Sequence, residues 1–509
     1  MVCGLELRTL GHATLLLSSD GVPLLATDPW LVGSTYCQSW WLDRYPADDD
    51  VDLIAATRNI YVTHSHQDHF HLPTLRRLAN PATLHPDLPN YSVPRVLKSM
   101  GMAANTLTPG RWYELTPQIH IVSLPVLADD SVLIVDTPNA SVVNLNDCVP
   151  PSSYLRMVRK RYLVDGKPVL VLRSHSPASS GASMYRDGVH LPLHDARDYA
   201  RISGDMASAL HATHFISFAS QAFFGRSDSM WANEARVFWD DLATQWRHPD
   251  IELCRPHVTM NLETLAYSST YQRRPFELDP AQAREVQERE TAEGSFELPE
   301  DFSRRLQQYL SEVWFLRLVF RRGIGWSLRT SKREFFYDVR TRKLTEGIPD
   351  RVDAVVTIAD QMLYEAVVNG NVTDVGITMT IRTDSYVDIR RPYLFFSLAG
   401  LRDAGHFQSW SSFLRFGWFY ARMVSPNLFW WWWHNRASAP ALSLSHARTS
   451  DSPASATTGT RSPPRSHSSR RSKSRSEDDL DDTRSHVRRA GLLRRKHGDL
   501  RSHTTLDNR

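Results

Sequence analysis

Residues 63–69 read Thr-His-Ser-His-Gln-Asp-His and directly follow the apolar run Asn59-Ile60-Tyr61-Val62. The apolar run predicts a buried strand, and the polar run predicts the loop in which that strand ends. Three imidazoles and one carboxylate in such a short stretch are more ligands than one tetrahedral metal ion takes. The pattern therefore favours two neighbouring metal ions, and a histidine-rich loop that binds nothing is the alternative.

We expect the polar residues of this loop to bind two different metal ions. Side-chain alternation would place His64 and His66 on one side of the turn, where they can share one metal ion. Asp68 and His69, on the following turn, can reach a second ion, and Asp68 is also the candidate catalytic residue because it can orient or bind a water. Asp147 ends the apolar run 141–147, where a carboxylate could bridge the two ions.

Length and composition limit the classes of protein that fit. A chain of 509 residues exceeds what one hydrophobic core usually organises, so two folded units with appendages are expected. The four scattered cysteines predict no disulfide framework, which favours a reducing cytoplasm. Neither a signal peptide nor an apolar run long enough to span a membrane is apparent in the sequence.

The net charge of +3 is unevenly distributed along the chain. Residues 437–509 contain 15 Lys and Arg against eight Asp and Glu, which leaves 44 against 48 for the rest. This Ser/Arg-rich tail lacks aromatic residues and cannot bury enough apolar area to fold, so we predict disorder. Nucleic-acid binding is the alternative, but specific recognition is not expected without interleaved aromatic residues.

Apolar patterning predicts the order of elements around the loop. Residues 5–18 and 24–27 should form a hairpin, and residues 51–62 a strand that ends at the histidines. A proline-initiated helix over 72–78 should follow the loop. Further strands are expected over 119–124, 131–135 and 141–147.

Four short motifs, taken together, resemble the metallo-β-lactamase fold. They are Gly11-His12-Ala13-Thr14, Asp28-Pro29-Trp30-Leu31, the His64–His69 run and Asn146-Asp147. The resemblance implies an α/β domain in which two sheets lie between outer helices, an αββα sandwich, with the metal ions held at the strand ends.

One branch of this superfamily resembles the sequence further, namely the metallo-β-lactamase-like part of CMP-N-acetylneuraminate hydroxylases. The matching stretches cover roughly the first half of the chain and include 28–33, 39–42, 130–135, 176–182 and 215–220. This resemblance implies a non-haem iron centre that uses O₂. Those hydroxylases also carry a Rieske cluster, which needs a C-x-H and a C-x-x-H pair. Only Cys254-Arg-Pro-His257 fits the second pair, so no Rieske centre is expected here.

The sequence departs from the pattern of the fold's hydrolases at two places. Those hydrolases usually supply a further ligand histidine near 124–130 and another near 216–224, and this chain has none in either stretch. Asp130, or its neighbour Asp129, is the candidate replacement beside Asp147. A carboxylate-rich set of nitrogen and oxygen ligands suits iron or manganese at least as well as zinc, so iron is favoured.

Four further residues are candidates for the surroundings of the metal ions. Asp28 is expected to hold a ligand histidine in its tautomer rather than to bind metal itself. His12 could contact the substrate or support a metal ligand, and a packed, hydrogen-bonded imidazole is an equal alternative. Trp40 and Trp41 are candidates for the wall of a substrate pocket, although aromatic pairs often belong to the core.

Four segments are predicted in all. The metallo-β-lactamase-like domain should span 1–275, a helical connector 276–330, an additional α+β C-terminal module 331–436 and the disordered tail 437–509. In the module we expect strands over 333–338, 354–358 and 375–381 and a helix over 360–368, an order that loosely resembles sterol-carrier-like domains. The run Trp430–Trp433 could be a lid, a subunit contact, a membrane-surface anchor or a docked C-terminal element.

Three functions are consistent with these features. The first is a non-haem diiron monooxygenase that hydroxylates a small, partly apolar molecule with O₂ and electrons from an external donor, such as a separate reductase or ferredoxin. The second is a zinc-dependent hydrolase of an ester, lactone, thioester or phosphodiester. The third is a degenerate metal-binding scaffold whose C-terminal module binds lipid or a partner. Homo-oligomerisation is compatible with each of them.

Overall fold

The computed structural model describes most of the first 424 residues and one short strand beyond them. The described residues are 4–78, 82–88, 92–126, 130–178, 183–186, 189–192, 194–313, 325–350, 352, 354–385, 398–406, 409–424 and 442–443. The Trp430–Trp433 run, Asp129 and the predicted tail apart from Leu442–Ser443 lie outside them.

Two eight-stranded mixed sheets form the first part of the chain. In spatial order, the N-terminal sheet consists of Tyr267–Ser269, Val258–Asn261, Leu5–Leu10, Thr14–Ser19, Val22–Thr27, Asn59–Tyr61, Ala82–Pro86 and Ala104–Leu107. The central sheet consists of Glu252–Cys254, His214–Ser217, Val169–Arg173, Ser141–Asn146, Ser131–Asp136, Ile119–Pro125, Trp112–Thr116 and Leu442–Ser443.

The inner faces of these two sheets pack against each other. Leu7, Leu17 and Leu25 of the N-terminal sheet share one buried cluster with Leu133 and Leu172 of the central sheet. All five are inaccessible to solvent, and each contributes roughly 1.5–3 kcal/mol through burial. The alternation of side chains sends the neighbouring residues of each strand to the outer faces.

Helices cover both outer faces. Against the N-terminal sheet lie Asp48–Ala55, Leu72–Leu75 and Val93–Ser99. Against the central sheet lie Ser152–Tyr162, Ala196–Ala209 and Trp239–Gln245. The result is the αββα sandwich of the metallo-β-lactamase fold, and the predicted fold is confirmed.

Two of the predicted strands in this domain are wrong in detail. Residues 51–62 form the end of the helix Asp48–Ala55 and the short strand Asn59–Tyr61. Three consecutive aspartates in the first turn, Asp48 to Asp50, favour the positive end of a helix dipole. Residues 5–18 form two strands rather than one, because the chain reverses at Gly11, whose φ of 54° is left-handed.

Two helices connect the sandwich to the C-terminal module, namely Pro280–Gly294 and Phe302–Glu312. The first begins with a capping box, in which the Asp279 carboxylate accepts hydrogen bonds from the backbone N–H groups of Ala281 and Gln282. Pro280 occupies the first helical position, where its missing N–H costs nothing.

A seven-stranded sheet organises the C-terminal module. In spatial order it consists of Val189–Pro192, Ser183–Arg186, Arg382–Ser385, Ala354–Thr357, Trp326–Arg329, Glu334–Asp338 and Lys343–Glu346. The first two strands are a hairpin that leaves the sandwich between two of its elements, and Tyr185 pairs with Asp384. The sandwich therefore contributes strands to the sheet of the module.

The helices of the module include Asp360–Asn369, Val372–Ile377 and Trp410–Val424. The predicted strand over 375–381 is wrong, because residues up to 377 continue a helix. Asp374 lies in its first turn, and the Asp403 carboxylate accepts a hydrogen bond from the Val372 N–H at the start of that helix, 3.0 Å away. Both carboxylates favour a helix N-terminus.

The module encloses an apolar cavity of about 30 Å³, lined by side chains such as Leu310, Val356, Leu363 and Ile381. A volume of this size corresponds to about one water molecule, so the described residues resemble an ordinary core more than an open lipid cavity. The sterol-carrier-like interpretation stays a prediction.

Two further observations concern the whole described chain. Cys37, Cys148 and Cys254 are free thiols. None of the helices in the described ranges combines the length and the apolar character that a membrane crossing requires.

Candidate metal centre

The metal loop, residues 63–69, leaves the strand Asn59–Tyr61 in the middle of the N-terminal sheet. This strand runs parallel to Val22–Thr27 on one side and to Ala82–Pro86 on the other. Ile60 and Tyr61 are fully buried, so the position of the chain is fixed where the loop begins. His64, Asp68 and His69 are at most 3% exposed.

The carboxylate of Asp28 holds both ends of this loop in place. It accepts hydrogen bonds from the Thr63 backbone N–H at 2.8 Å and from the Thr63 hydroxyl at 2.6 Å. The Asn146 side-chain amide donates to the same carboxylate at 2.8 Å, and His69 Nδ1 lies 3.1 Å from it. Asp28 therefore holds the ring of His69 with Nε2 facing the other way, as a residue behind a metal ligand does.

His69 Nε2 faces two carboxylates. It lies 3.1 Å from Asp68 Oδ2 and 3.2 Å from Asp147 Oδ2. Asp68 is held in turn by His12, whose Nε2 lies 3.2 Å from it, and by the Tyr36 hydroxyl, which donates a hydrogen bond to Asp68 Oδ1. His12, Asp68 and His69 thus form one buried group with ligand atoms within 4.8 Å of one another.

A second group lies on the other side of His69. It consists of His64, His69 and Asp147, again with ligand atoms within 4.8 Å. His66 Nδ1 lies 2.9 Å from His64 Nε2, and Asp130 Oδ1 lies 3.3 Å from His64 Nδ1. The two groups overlap at His69, whose Nε2 can bind only one of two neighbouring ions.

Burial and charge set the protonation of this site. Burial lowers the pKa of His64 well below its ordinary value. Burial acts in the same direction on His69, but Asp68 and Asp147 outweigh it and raise the pKa of His69 well above its ordinary value. Burial would raise the pKa of Asp68, yet His69 and His12 hold it well below its usual range. The site therefore stabilises positive charge beside ionised carboxylates.

Several buried polar atoms at this site have no hydrogen-bond partner among the described residues, namely His12 Nδ1, Asn146 Oδ1 and Asp147 Oδ1. Buried polar atoms usually have partners. Unused lone pairs beside clustered imidazoles and carboxylates fit divalent cations with nitrogen and oxygen ligands. The residues present thus fit the two metal ions that the sequence predicts.

The structure brings most of the predicted site residues together. His64, His66, Asp68, His69, Asp130 and Asp147 line the centre, with His12 and Asp28 against it. Trp40 lies beside His12, with 5.9 Å between the ring centroids. Trp41 points to the opposite face of the strand Trp40–Leu42 and packs against Phe223 and Val286, away from the centre.

The two stretches without the histidines that hydrolases of this fold usually supply, near 124–130 and 216–224, offer other side chains in the structure. Asp130 occupies the first stretch, where it faces His64. In the second stretch, Ser217 ends the strand His214–Ser217. His214 begins that strand and pairs with Glu252 at 3.4 Å, at the far end from the centre.

Sequence reasoning missed three residues near the centre. Tyr36 contacts Asp68, Gln67 contacts Asp374 of the C-terminal module, and His175 follows the strand Val169–Arg173 beside the one that leads to Asp147. Only His175 carried a signal, as a polar residue directly after a buried strand. His175 is 2% exposed, and its Nδ1 lacks a hydrogen-bond partner in the described structure.

No family model matches the chain. The chain is similar to the cytidine monophosphate-N-acetylneuraminic acid hydroxylase of Asterias rubens, with 30% identity over 141 residues, 25% of this chain and 21% of that protein. A Homo sapiens protein described as an inactive hydroxylase of the same name is 27% identical over 162 residues, 29% of this chain and 31% of that protein. The chain spans less than a third of the length of these relatives.

Similar solved structures include CmlA, a diiron β-hydroxylase from Streptomyces venezuelae, with a TM-score of 0.33 and 17% identity over 51% of this chain and 55% of that one. Another is the metallo-β-lactamase fold protein YhfI from Bacillus subtilis, with a TM-score of 0.31 and 10% identity over 50% of this chain and 98% of that one. The chain is thus similar over 25–29% of its sequence to CMP-N-acetylneuraminic acid hydroxylases, and the described residues have the αββα architecture of the metallo-β-lactamase fold.

Proposed function

We propose that the protein is a metal-dependent enzyme whose centre holds two metal ions between the metal loop and the strand-end aspartates Asp130 and Asp147. The support is geometric, because two groups of potential ligands overlap at His69 and together offer more ligands than one tetrahedral ion takes. Six candidate ligands from three segments of the chain converge on this one place. The roles of the individual residues follow from their contacts.

We propose further that the two ions are iron and that the reaction is a hydroxylation. The observation that carries this choice is the carboxylate of Asp130 beside His64, in the stretch where hydrolases of this fold usually supply a histidine. With Asp68 and Asp147, the centre then has three carboxylates and three imidazoles. This composition suits iron at least as well as zinc. The hydroxylase names of the sequence relatives point in the same direction.

Two bound iron ions would supply the activation of O₂ for insertion of one oxygen atom into a C–H bond. The balanced reaction converts R–H, O₂, two electrons and two protons into R–OH and water, and the electrons come from a separate reductase or ferredoxin. The substrate would be a small, partly apolar molecule.

The residues of this chain position the centre and keep it dry. Asp28 and Asn146 orient His69, because both of their side chains lie within 3.1 Å of its Nδ1. Tyr36 and His12 hold the Asp68 carboxylate between them. The burial of His64 and His69 excludes bulk water from the ligands, which strengthens the electrostatic interactions inside the site.

The second candidate is a zinc-dependent hydrolase. The group His64, His69 and Asp147 favours it, because two imidazoles and a carboxylate also form a common catalytic zinc site. In that case Asp68 would orient the water that attacks the substrate. Both candidates need the same ligands and differ in the metal.

The test is to load the metal-free protein anaerobically with Fe(II) and then to mix it with O₂. We expect the iron in the wild-type protein to be oxidised faster than free Fe(II) under the same conditions, and His66→Ala to lose this acceleration. Asp136→Asn is the control, because Asp136 contacts Lys167 and Ser141 at the opposite end of the strand Ser131–Asp136 from Asp130. Oxidation no faster than that of free Fe(II), with ester hydrolysis by the zinc-loaded protein, would favour the hydrolase.

A further inference from the structure

The C-terminal module contacts the αββα sandwich, which we call the metal domain, directly beside the metal loop. The Trp40 indole N–H donates a hydrogen bond to the Ile377 carbonyl at 2.8 Å, and the Ser39 hydroxyl donates to the Thr378 carbonyl. Ile377 and Met379 are buried in one cluster with Trp40 and other aromatic residues of the metal domain. The helix Val372–Ile377 is therefore fixed against the wall of the metal centre.

This helix also contacts the metal loop through Asp374. The Gln67 side-chain amide donates a hydrogen bond from Nε2 to Asp374 Oδ2 at 3.2 Å. Its other atom, Oε1, accepts a hydrogen bond from the Tyr36 backbone N–H at 3.1 Å. Gln67 lies between His66 and Asp68 in the sequence, so it joins the module to the middle of the loop.

The Asp374 carboxylate and the Tyr36 backbone N–H together decide which way the Gln67 amide points. The carboxylate oxygen accepts the hydrogen bond from the amide, and a backbone N–H only donates. With Nε2 towards Asp374 and Oε1 towards Tyr36, both interactions are satisfied, whereas a flipped amide would oppose both. The carboxylate therefore selects one orientation of Gln67 and one position of the Tyr36 backbone.

Tyr36 connects Gln67 to Asp68, a candidate metal ligand. Its hydroxyl donates a hydrogen bond to Asp68 Oδ1, and the ring is 1% exposed, in the cluster that includes Trp40 and Ile377. The connection from Asp374 through Gln67 and Tyr36 ends on the carboxylate next to Gln67 in the sequence. Outer hydrogen-bond partners of this kind commonly change metal affinity ten- to a hundredfold.

We infer that Asp374 is a positioning residue of the metal centre and that the C-terminal module completes the site by orienting Gln67 and Tyr36 toward Asp68. This inference rests on the proposed metal-dependent function and extends it to a residue 307 positions away from Gln67 in the sequence. Asp374 acts through Gln67 and needs no contact with metal or substrate.

The experiment is a titration of the full-length, metal-free protein with Co²⁺, followed by its visible absorption spectrum. We expect Asp374→Ala to weaken the lower-affinity Co²⁺ site about tenfold and to change the spectrum. Asp374→Asn keeps an oxygen that accepts a hydrogen bond from Gln67, so its affinity should remain within about threefold of wild type. In a Gln67→Ala background, Asp374→Ala should add less than about twofold, because the two residues act in series.

Asp403→Ala is the matched control. Asp403 accepts a hydrogen bond from the first residue of the same helix but does not touch the metal loop. Its loss should lower the melting temperature and leave Co²⁺ affinity within about twofold of wild type. Equal weakening by Asp403→Ala, or Co²⁺ affinity unchanged in Asp374→Ala, would overturn the inference and leave the proposed function standing. Failure of the wild-type protein to bind Co²⁺ would overturn both.

Discussion

Asp28 shows how one side chain can organise a metal centre without binding metal. It is inaccessible to solvent and contacts Thr63 and His69 at the two ends of the metal loop and Asn146 at the end of the strand Ser141–Asn146. Burial raises its pKa, and the hydrogen bonds from His69 and Thr63 oppose that shift. The carboxylate is thus tied to the geometry of the loop, because the donors that surround it favour its ionised form.

We predict that Asp28→Asn weakens metal binding tenfold or more. The amide of the variant would place an N–H group against the donors of Thr63, Asn146 or His69, so the ring of His69 would lose its orientation. Co²⁺ titration of the metal-free protein measures the change, with Asp136→Asn as the control for a carboxylate elsewhere on the sheet. An affinity within twofold of wild type in Asp28→Asn would show that Asp28 does not orient a ligand.

At the scale of elements, the sequence predicted the parts that depend on local pattern. The apolar runs that become Ile119–Pro125, Ser131–Asp136 and Ser141–Asn146 were predicted as strands, and the metal loop was placed at a strand end. The prediction over 51–62 was wrong because residues 51–55 continue a helix whose acidic first turn, Asp48 to Asp50, precedes the stretch that was interpreted as a strand. Contacts such as Tyr36 with Asp68 depend on packing of distant segments, which no local pattern reveals.

The strand Val169–Arg173 leads to His175, a buried histidine outside the metal loop that affects stability. Burial, together with the positive charges of Arg236 and Arg173, lowers the pKa of His175 to about 3 from an ordinary value of 6.5. In the folded protein His175 stays neutral down to low pH, whereas in the unfolded chain it takes up a proton below about 6.5. Its contribution to stability is therefore present at neutral pH and is lost as the pH falls from 6.5 towards 3.

We predict that His175→Gln reduces the acid sensitivity of the metal-free protein. Between pH 7 and pH 5, the wild-type free energy of unfolding should fall by about 2 kcal/mol more than that of the variant. Urea denaturation of both proteins at the two pH values measures this difference. Equal losses in the two proteins would mean that His175 is protonated in the folded state or is solvated there.

At the scale of the whole molecule, shared secondary structure joins the described residues of the sandwich to those of the C-terminal module. The hairpin formed by Ser183–Arg186 and Val189–Pro192 extends the sheet of the module, and the connector helix Pro280–Gly294 packs on the metal domain. The predicted domain boundaries stay predictions. The sequence indicated separate segments because composition changes along the chain, but it carried no sign that strands cross between them.

An ion pair holds the connector helix in place. The Arg226 guanidinium, 1% exposed, donates to Glu293 at 2.6 Å and to both carboxylate oxygens of Asp228 at 2.9 Å. We predict that Glu293→Ala destabilises the protein by about 3 kcal/mol, because a buried charge loses a partner. Glu290→Ala, which removes a surface hydrogen bond to Ser227, should cost less than about 1 kcal/mol. Urea denaturation distinguishes the two, and equal effects would contradict a structural role for this pair.

The most direct test of the central claim is the number of metal ions per chain. The metal-free protein would be dialysed anaerobically against Fe(II), and bound iron would be measured by inductively coupled plasma mass spectrometry. We predict two iron ions per wild-type chain and at most one after His64→Ala, because His64 is a potential ligand in only one of the two groups. A wild-type protein that binds no iron, or binds the same amount after His64→Ala, would contradict the proposed centre.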